Sequence, residues 1–149
     1  METEIERILK RHKYSRSSLI AILQDIQAEY NYLPEKALRG IAEGIGIPFS
    51  KIFSAATFFR AFSLKPRGKH LITVCLGTAC HVRGGARLVE EIGRILEVKP
   101  GETTDDQRFT LETVNCLGCC AIGPIMVVDG KYFGEVTPAK IKSIIKGYE

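Results

Sequence analysis

The stretch HLITVCLGTACHVRGGARLVEEIGRIL, residues 70–96, decides the fold. Its opening is a β-branched run, Ile72, Thr73 and Val74, suited to a buried strand. Its second half sets Leu88, Val89, Ile92, Ile95 and Leu96 on one helical stripe. Cys75 and Cys80 lie between, spaced C-x4-C among Gly77, Gly84 and Gly85. The stretch therefore predicts a strand, a cysteine-bearing loop and a helix.

Downstream, FTLETVNC (109–116) alternates as a strand, and IMVVDGKYFGEV (125–136) reads as two strands turned at Asp129-Gly130. TPAKIKSIIKGY (137–148) closes as a helix capped by Thr137 and Pro138. The order β-α-β-β-β-α over residues 67–149 predicts a small thioredoxin-like α/β domain. Upstream, residues 1–66 read as a small helical bundle. Ile5, Ile8 and Leu9 form one apolar face; Leu19, Ile20, Leu23, Ile26 and Tyr30 form a second, with Ser17 or Ser18 as N-cap. Ala37, Leu38, Ile41, Ala42 and Ile45 run from Pro34 to the stop at Gly46 and Pro48, and Ile52, Ala55, Ala56 and Phe59 suggest a fourth helix. The fold class is thus α+β, with LKPRGKH (64–70) as the linker. Phe49, Phe53, Phe58, Phe59 and Phe62 are expected in the helical core, one or two of them facing a partner.

Composition narrows the function. In 149 residues, 45% are hydrophobic and 26% charged, and no apolar run approaches the roughly 18 residues that span a bilayer. The charged start METEIERILKRHKYSRSS lacks the apolar core of a secretory signal, so a cytoplasmic location is expected, without direct membrane insertion. Thiols stay reduced there, and clustered cysteines serve metal or redox chemistry more often than disulfides. The net charge of +4 lies wholly in residues 1–67, with 11 Lys/Arg against 7 Asp/Glu. That excess is modest and reads as a solvated or protein-binding surface, with no nucleic-acid partner.

All five cysteines sit in two loops: Cys75 and Cys80 after the first strand, and Cys116, Cys119 and Cys120 in VNCLGCCAIGP (114–124) after the second. Four thiolates from two loops meet the demand of a binuclear iron–sulfur cluster, two per iron. Gly77, Gly84, Gly85, Gly118 and Gly123 would let backbone N–H groups approach the sulfurs, with the helix start near Gly84 adding favourable charge. Two rivals stay open on chemistry alone. One is a four-cysteine zinc site. The other is a redox dithiol at Cys116 and Cys119, which would need a helix start where AIGPIMVV instead runs into a strand.

CLGTACHVRGG and VNCLGCCAIGP, with LQDIQAEYNYLPEKAL, ATFFRAF and KPRGKH upstream, resemble the small thioredoxin-like [2Fe–2S] subunit of NADH:quinone oxidoreductase, complex I. The same subunit recurs in NAD(P)-linked hydrogenases and formate dehydrogenases. The resemblance covers essentially the whole chain and implies that residues 67–149 form a thioredoxin-like [2Fe–2S] ferredoxin domain. It implies one [2Fe–2S] cluster held by Cys75, Cys80, Cys116 and Cys120, with Cys119 not a ligand, and no catalytic residue in this chain. It further implies an electron-transfer subunit of an oxidoreductase, exchanging single electrons with a larger partner subunit that carries FMN and the NAD(H) site. Residues 1–66 would share that interface, alongside other iron–sulfur subunits of the assembly. The parent would be NADH:quinone oxidoreductase, which is membrane-associated, or a soluble hydrogenase or formate dehydrogenase, electron-bifurcating or not. An iron–sulfur redox-sensing regulator is an alternative raised by the basic helical half, but no helix carries base-reading side chains. His81 is expected at the surface or behind the ligands, Arg83 beside the cluster or in solvent, and Pro124 at a place where thioredoxin-like folds hold a cis-proline.

Overall fold

In the computed structural model, which describes residues 2–148, helices come first and a sheet follows. Helices α1 (Glu2–Arg11), α2 (Leu19–Tyr30), α3 (Glu35–Ile45) and α4 (Phe49–Phe58) build a unit ending at Pro66. Pro34 and Pro48 stand just ahead of α3 and α4 in extended backbone, where a missing N–H costs nothing. Asn31 and Gly46 end α2 and α3 in the left-handed conformation. Ser18 precedes α2, but its side chain makes no capping bond, and a 3-10 turn over Arg16–Ser18 leads in. Ile8, Leu9, Ile22, Leu23, Ile26, Leu38, Ile41 and Ile52 fill the core that these helices enclose.

The aromatic stretch departs from expectation. Phe62 is buried and Phe49 packs partly against the core, but Phe53, Phe58 and Phe59 are 44%, 80% and 42% exposed. The inward stripe of α4 is narrow, formed by Ile52, Ala55 and Ala56, and Phe53 and Phe58 stand off it. The helix ends at Phe58, so Phe59 leaves the helical period in extended backbone.

The second unit begins at Arg67. It contains β1 (His70–Cys75), α5 (Thr78–Val82), α6 (Gly85–Leu96), β2 (Phe109–Val114), β3 (Met126–Val128), β4 (Lys131–Phe133) and α7 (Pro138–Lys146). The strands form one mixed sheet in the order β2-β1-β3-β4. β1 and β2 are parallel, which requires a crossover, and α6 lies on it; the other pairings are antiparallel. Asp129 and Gly130 both take positive φ, as a two-residue hairpin turn demands. Ile72 and Val74 of β1, Leu111 of β2 and Met126 and Val128 of β3 pack with Leu88 and Ile92 of α6 and Ile141 and Ile145 of α7. Thr137 precedes α7 without a capping bond from its side chain.

Only the first half of 64–70 behaves as a linker. Leu64, Lys65 and Pro66 are exposed, whereas Gly68 is buried and donates its N–H to Thr110 Oγ1 at 2.7 Å. Arg67 pairs with Glu112 at 2.7 Å. Residues 67–70 therefore run along β2 as part of the domain. α5 is the other departure: five residues are too few for periodicity to reveal, so the segment between Cys75 and Gly84 reads as loop in the sequence.

Candidate metal centre

Strand pairing brings the two cysteine segments to one place. Cys75, the last residue of β1, faces Val114, the last of its parallel neighbour β2, and Leu76 N–H continues the pairing to Val114 O at 2.7 Å. The chain leaving β1 carries Cys80 on α5, and the chain leaving β2 carries Cys116, Cys119 and Cys120. Both depart from the carboxyl ends of adjacent strands.

The cysteines divide by burial. Cys75 and Cys80 are 2% and 1% exposed and pack with Ile125 and Val127. Cys116 and Cys120 are exposed, and Cys119 is half-buried against the Cys75–Cys80 pair. Burial pushes the Cys80 thiol above its usual range, because a thiolate there would be poorly solvated. A hydrogen bond with Cys75 and the proximity of the Cys75 and Cys120 thiols push the same way, against a backbone hydrogen bond from Ile125. A cation reverses this preference, since a coordinated thiol gives up its proton.

Close backbone approach shapes the surroundings. A Cβ on Gly77 would lie 2.4 Å from Asn115 O, one on Gly85 would lie 2.7 Å from Cys75 O, and one on Gly123 would lie 3.0 Å from Cys80 Sγ. The two segments thus touch main chain to main chain at Gly77 and main chain to the Cys80 sulfur at Gly123, where added side chains would hold them apart, while Gly85 lets the start of α6 fold against the end of β1. Gly118, at φ +77, donates its N–H to Cys116 Sγ at 3.2 Å. Cys119 Sγ–H donates to Leu117 O at 3.6 Å. Arg83 Nη1 donates to Cys120 O at 2.8 Å and Ala121 O at 3.3 Å.

Among the described residues, no three His, Cys, Asp or Glu side chains are grouped so that they could hold a metal ion. The structure brings a buried pair and an exposed pair to one end of the sheet without closing them on a single point. A zinc site asks four sulfurs to stand about 2.3 Å from one ion. A binuclear cluster asks for two pairs. The donor set, four of the five thiols in two pairs with glycine backbone between them, fits the second.

His81 is exposed at the end of α5, and the Gly123–Pro124 bond is cis. Gly84 opens α6 at φ +102, after α5 has carried Cys80 away from the strand end. The bond from Arg83 to the second loop has no signature in spacing or periodicity, because its partners lie 37 and 38 positions away.

Residues 5–149 match the family described as thioredoxin-like [2Fe-2S] ferredoxin. The chain is 32% identical over 145 residues to the NADP-reducing hydrogenase subunit HndA of Solidesulfovibrio fructosivorans, covering 97% of this chain and 85% of that subunit. It is 33% identical over 145 residues to a subunit of the NADH-quinone oxidoreductase of Escherichia coli K12, covering 97% of this chain and 87% of that one. A chain of an NAD+-reducing [NiFe]-hydrogenase, solved in the air-oxidized state, shares the fold with a TM-score of 0.77 at 22% identity. That superposition covers 88% of this chain and 22% of the hydrogenase chain. The matches span nearly the whole of this chain and most of both relatives at about one third identity, so the chain belongs to the thioredoxin-like [2Fe-2S] ferredoxin family.

Proposed function

We propose that this chain is the one-electron carrier subunit of an NAD(P)(H)-linked oxidoreductase, holding one [2Fe–2S] cluster on Cys75, Cys80, Cys116 and Cys120. The observation that carries the reading is the placement of two cysteine pairs at the shared end of parallel neighbours β1 and β2. Two relatives matched over nearly the full chain, a subunit of an NADP-reducing hydrogenase and one of an NADH-quinone oxidoreductase, support it. Bound there, the cluster supplies a carrier that takes and releases one electron at a time, which lets a partner flavin part with the two electrons of a hydride singly.

The chain's own residues divide the work. Cys75 and Cys80 form a water-excluded pair, and Cys116 and Cys120 an exposed pair that a partner can approach. The Gly118 N–H stabilises charge on the Cys116 sulfur. Cys119 points its S–H at Leu117 O and is the bystander.

FMN and NAD(H) belong to a larger partner subunit, which the helical unit meets through exposed Phe53, Phe58 and Phe59. Exposed aromatic rings in one short segment are the composition of interface cores. Among the described residues no helix is long and apolar enough to cross a membrane. The chain works in the cytoplasm, within NADH:quinone oxidoreductase or a soluble hydrogenase or formate dehydrogenase.

Anaerobic purification tests the reading: about two irons and two sulfides per chain are expected, with a spin signal on reduction. Cys119→Ser should leave the spectrum intact and Cys120→Ser should abolish or severely alter it. Stoichiometric zinc without iron would overturn the cluster, and the reverse substitution pattern would overturn the ligand assignment.

A further inference from the structure

We infer that Arg83 is a positioning residue that locks the loop of Cys116–Cys120 onto the segment of Cys75 and Cys80, and so fixes where Cys120 stands. The inference rests on the ligand assignment proposed above. Arg83 ends α5, three positions after Cys80, and its own backbone is held there by an N–H bond to Ala79 O at 3.2 Å. From that anchor its stem runs over Gly123, where an added Cβ would lie 3.8 Å from Arg83 Cδ and 3.0 Å from Cys80 Sγ. Its guanidinium then reaches Cys120 O at 2.8 Å and Ala121 O at 3.3 Å. One side chain thus spans a buried cysteine of the first segment and the main chain of an exposed cysteine of the second.

The second loop needs such a tie. Cys116, Gly118, Cys120, Ala121 and Ile122 are all exposed, so core packing reaches its tip only through the partly buried Leu117 and Cys119. Its local order is a 3-10 turn, closed by Ile122 N–H to Cys119 O and Gly123 N–H to Cys120 O, both at 3.2 Å. The far end is held by Glu135 N–H to Ile122 O at 2.7 Å. Arg83 supplies the hold at Cys120 itself, on the carbonyl that also receives Gly123 N–H; an oxygen with two lone pairs accepts both. The bond is charge-assisted, and one nitrogen, Nη1, serves both successive carbonyls from a planar, pre-organised guanidinium that a flexible lysine ammonium reproduces only in part.

The test uses the full chain with Arg83→Gln and Arg83→Lys, each checked for native far-ultraviolet circular dichroism. In metal-free protein, amide exchange at Ile122 and Gly123 should be about tenfold faster in R83Q than in wild type, as loss of a charge-assisted bond implies, and intermediate in R83K. In anaerobically purified protein, R83Q should lose iron to a chelator about tenfold faster and alter the reduced spin signal, with partial rescue in R83K. Unchanged exchange in R83Q would overturn the lock; if R83Q does not fold, unchanged exchange in R83K would do so. Faster exchange with unchanged iron loss and spin signal would overturn the ligand-positioning role. Wild-type protein without iron would overturn the cluster reading instead, while the exchange measurement still decides whether Arg83 holds the loop.

Discussion

Adding one methyl group at Gly77 should drive the two cysteine segments apart. Gly77 precedes α5 at φ −57 and ψ 154, a conformation alanine adopts freely, so Gly77→Ala introduces no backbone strain of its own. Its Cβ would instead stand 2.4 Å from Asn115 O, 3.3 Å from Asn115 C and 3.4 Å from Cys116 Cα. Ordinary contact begins near 3.4 Å, so the chains must separate by about 1 Å. All three atoms are main chain, and no rotamer change relieves them. The bond from Leu76 N–H to Val114 O, 2.7 Å long and one residue away, resists the movement. Overpacking of this kind costs roughly 1–3 kcal/mol, and the reduced freedom of the unfolded alanine chain returns about 0.4–1. The net loss is about 1.5 kcal/mol, a fall of roughly 0.7 M in the urea midpoint if m is about 2 kcal/mol/M. Following amide signals of β1 and β2 through the titration reads the second unit by itself. The displacement separates Cys75 and Cys80 from Cys116 and Cys120, so chelator-driven iron loss should accelerate in the same variant. A midpoint within about 0.2 M of wild type, on the same m, with unchanged iron retention would refute the reasoning.

Gly118 tests the opposite mechanism: its Cβ would meet nothing within 4 Å, but its φ is +77. Gly118→Ala should cost about 1 kcal/mol and Gly118→Asn less, since asparagine tolerates the left-handed region; equal urea midpoints for the two variants would count against this. Asp25 accepts from His12 Nε2 at 2.8 Å and Arg11 at 3.2 Å, tying α2 to the end of α1. The His12 hydrogen bond, aided by the charges of His12 and Arg11, holds its carboxyl below the usual 3.8 against an opposing effect of burial. A carboxylate lowered on folding stabilises fully above its ordinary value and loses that contribution as pH falls through the folded one. Asp25→Asn should therefore cost up to about 1 kcal/mol at pH 6, less below pH 4, and a urea-measured difference that does not shrink in acid would contradict the assignment. Phe58 is 80% exposed, so Phe58→Ser should shift stability by less than about 0.5 kcal/mol while weakening binding of the proposed flavin-bearing partner about tenfold or more, read by titration; unchanged affinity would remove this ring from the proposed interface.

Periodicity exposed most of the fold because the elements that carry it are long or chemically marked. α6 presents Leu88, Ile92, Ile95 and Leu96 at helical spacing, and Asp129-Gly130 marks its hairpin by the positive φ values that turn requires. α5 spans five residues, under two turns, and leaves no period to read. The exposure of Phe53 and Phe58 was hidden for a related reason: spacing identifies a stripe, but the small Ala55 and Ala56, set with Ile52, occupy the inward one. At Arg67 and Gly68 a turn-like composition concealed packing, because the partners Glu112 and Thr110 lie more than forty positions away.

The candidate site shows the same division between what spacing carries and what only contacts supply. Spacing groups the cysteines into two segments but cannot say which pair is buried, since that depends on α5 folding Cys80 back against Ile125 and Val127. Nor can it separate Cys119 from Cys120, adjacent residues of identical chemistry. Local structure does separate them. Cys119 turns partly inward and spends its S–H on Leu117 O, whereas Cys120 opens the 3-10 turn, is exposed, and has its carbonyl held by Arg83. The Cys120 thiol also acts electrostatically on Cys80, so the exposed and buried pairs already sense each other across the gap between the segments. Ionising both at once is unfavourable, and a bound cation would offset that cost. At Cys80 burial is the larger of the effects that oppose ionisation and the neighbouring thiols add to it, so a cation bound there would offset both, and the close main-chain approach at Gly77 holds the two segments near enough for one cation to serve them.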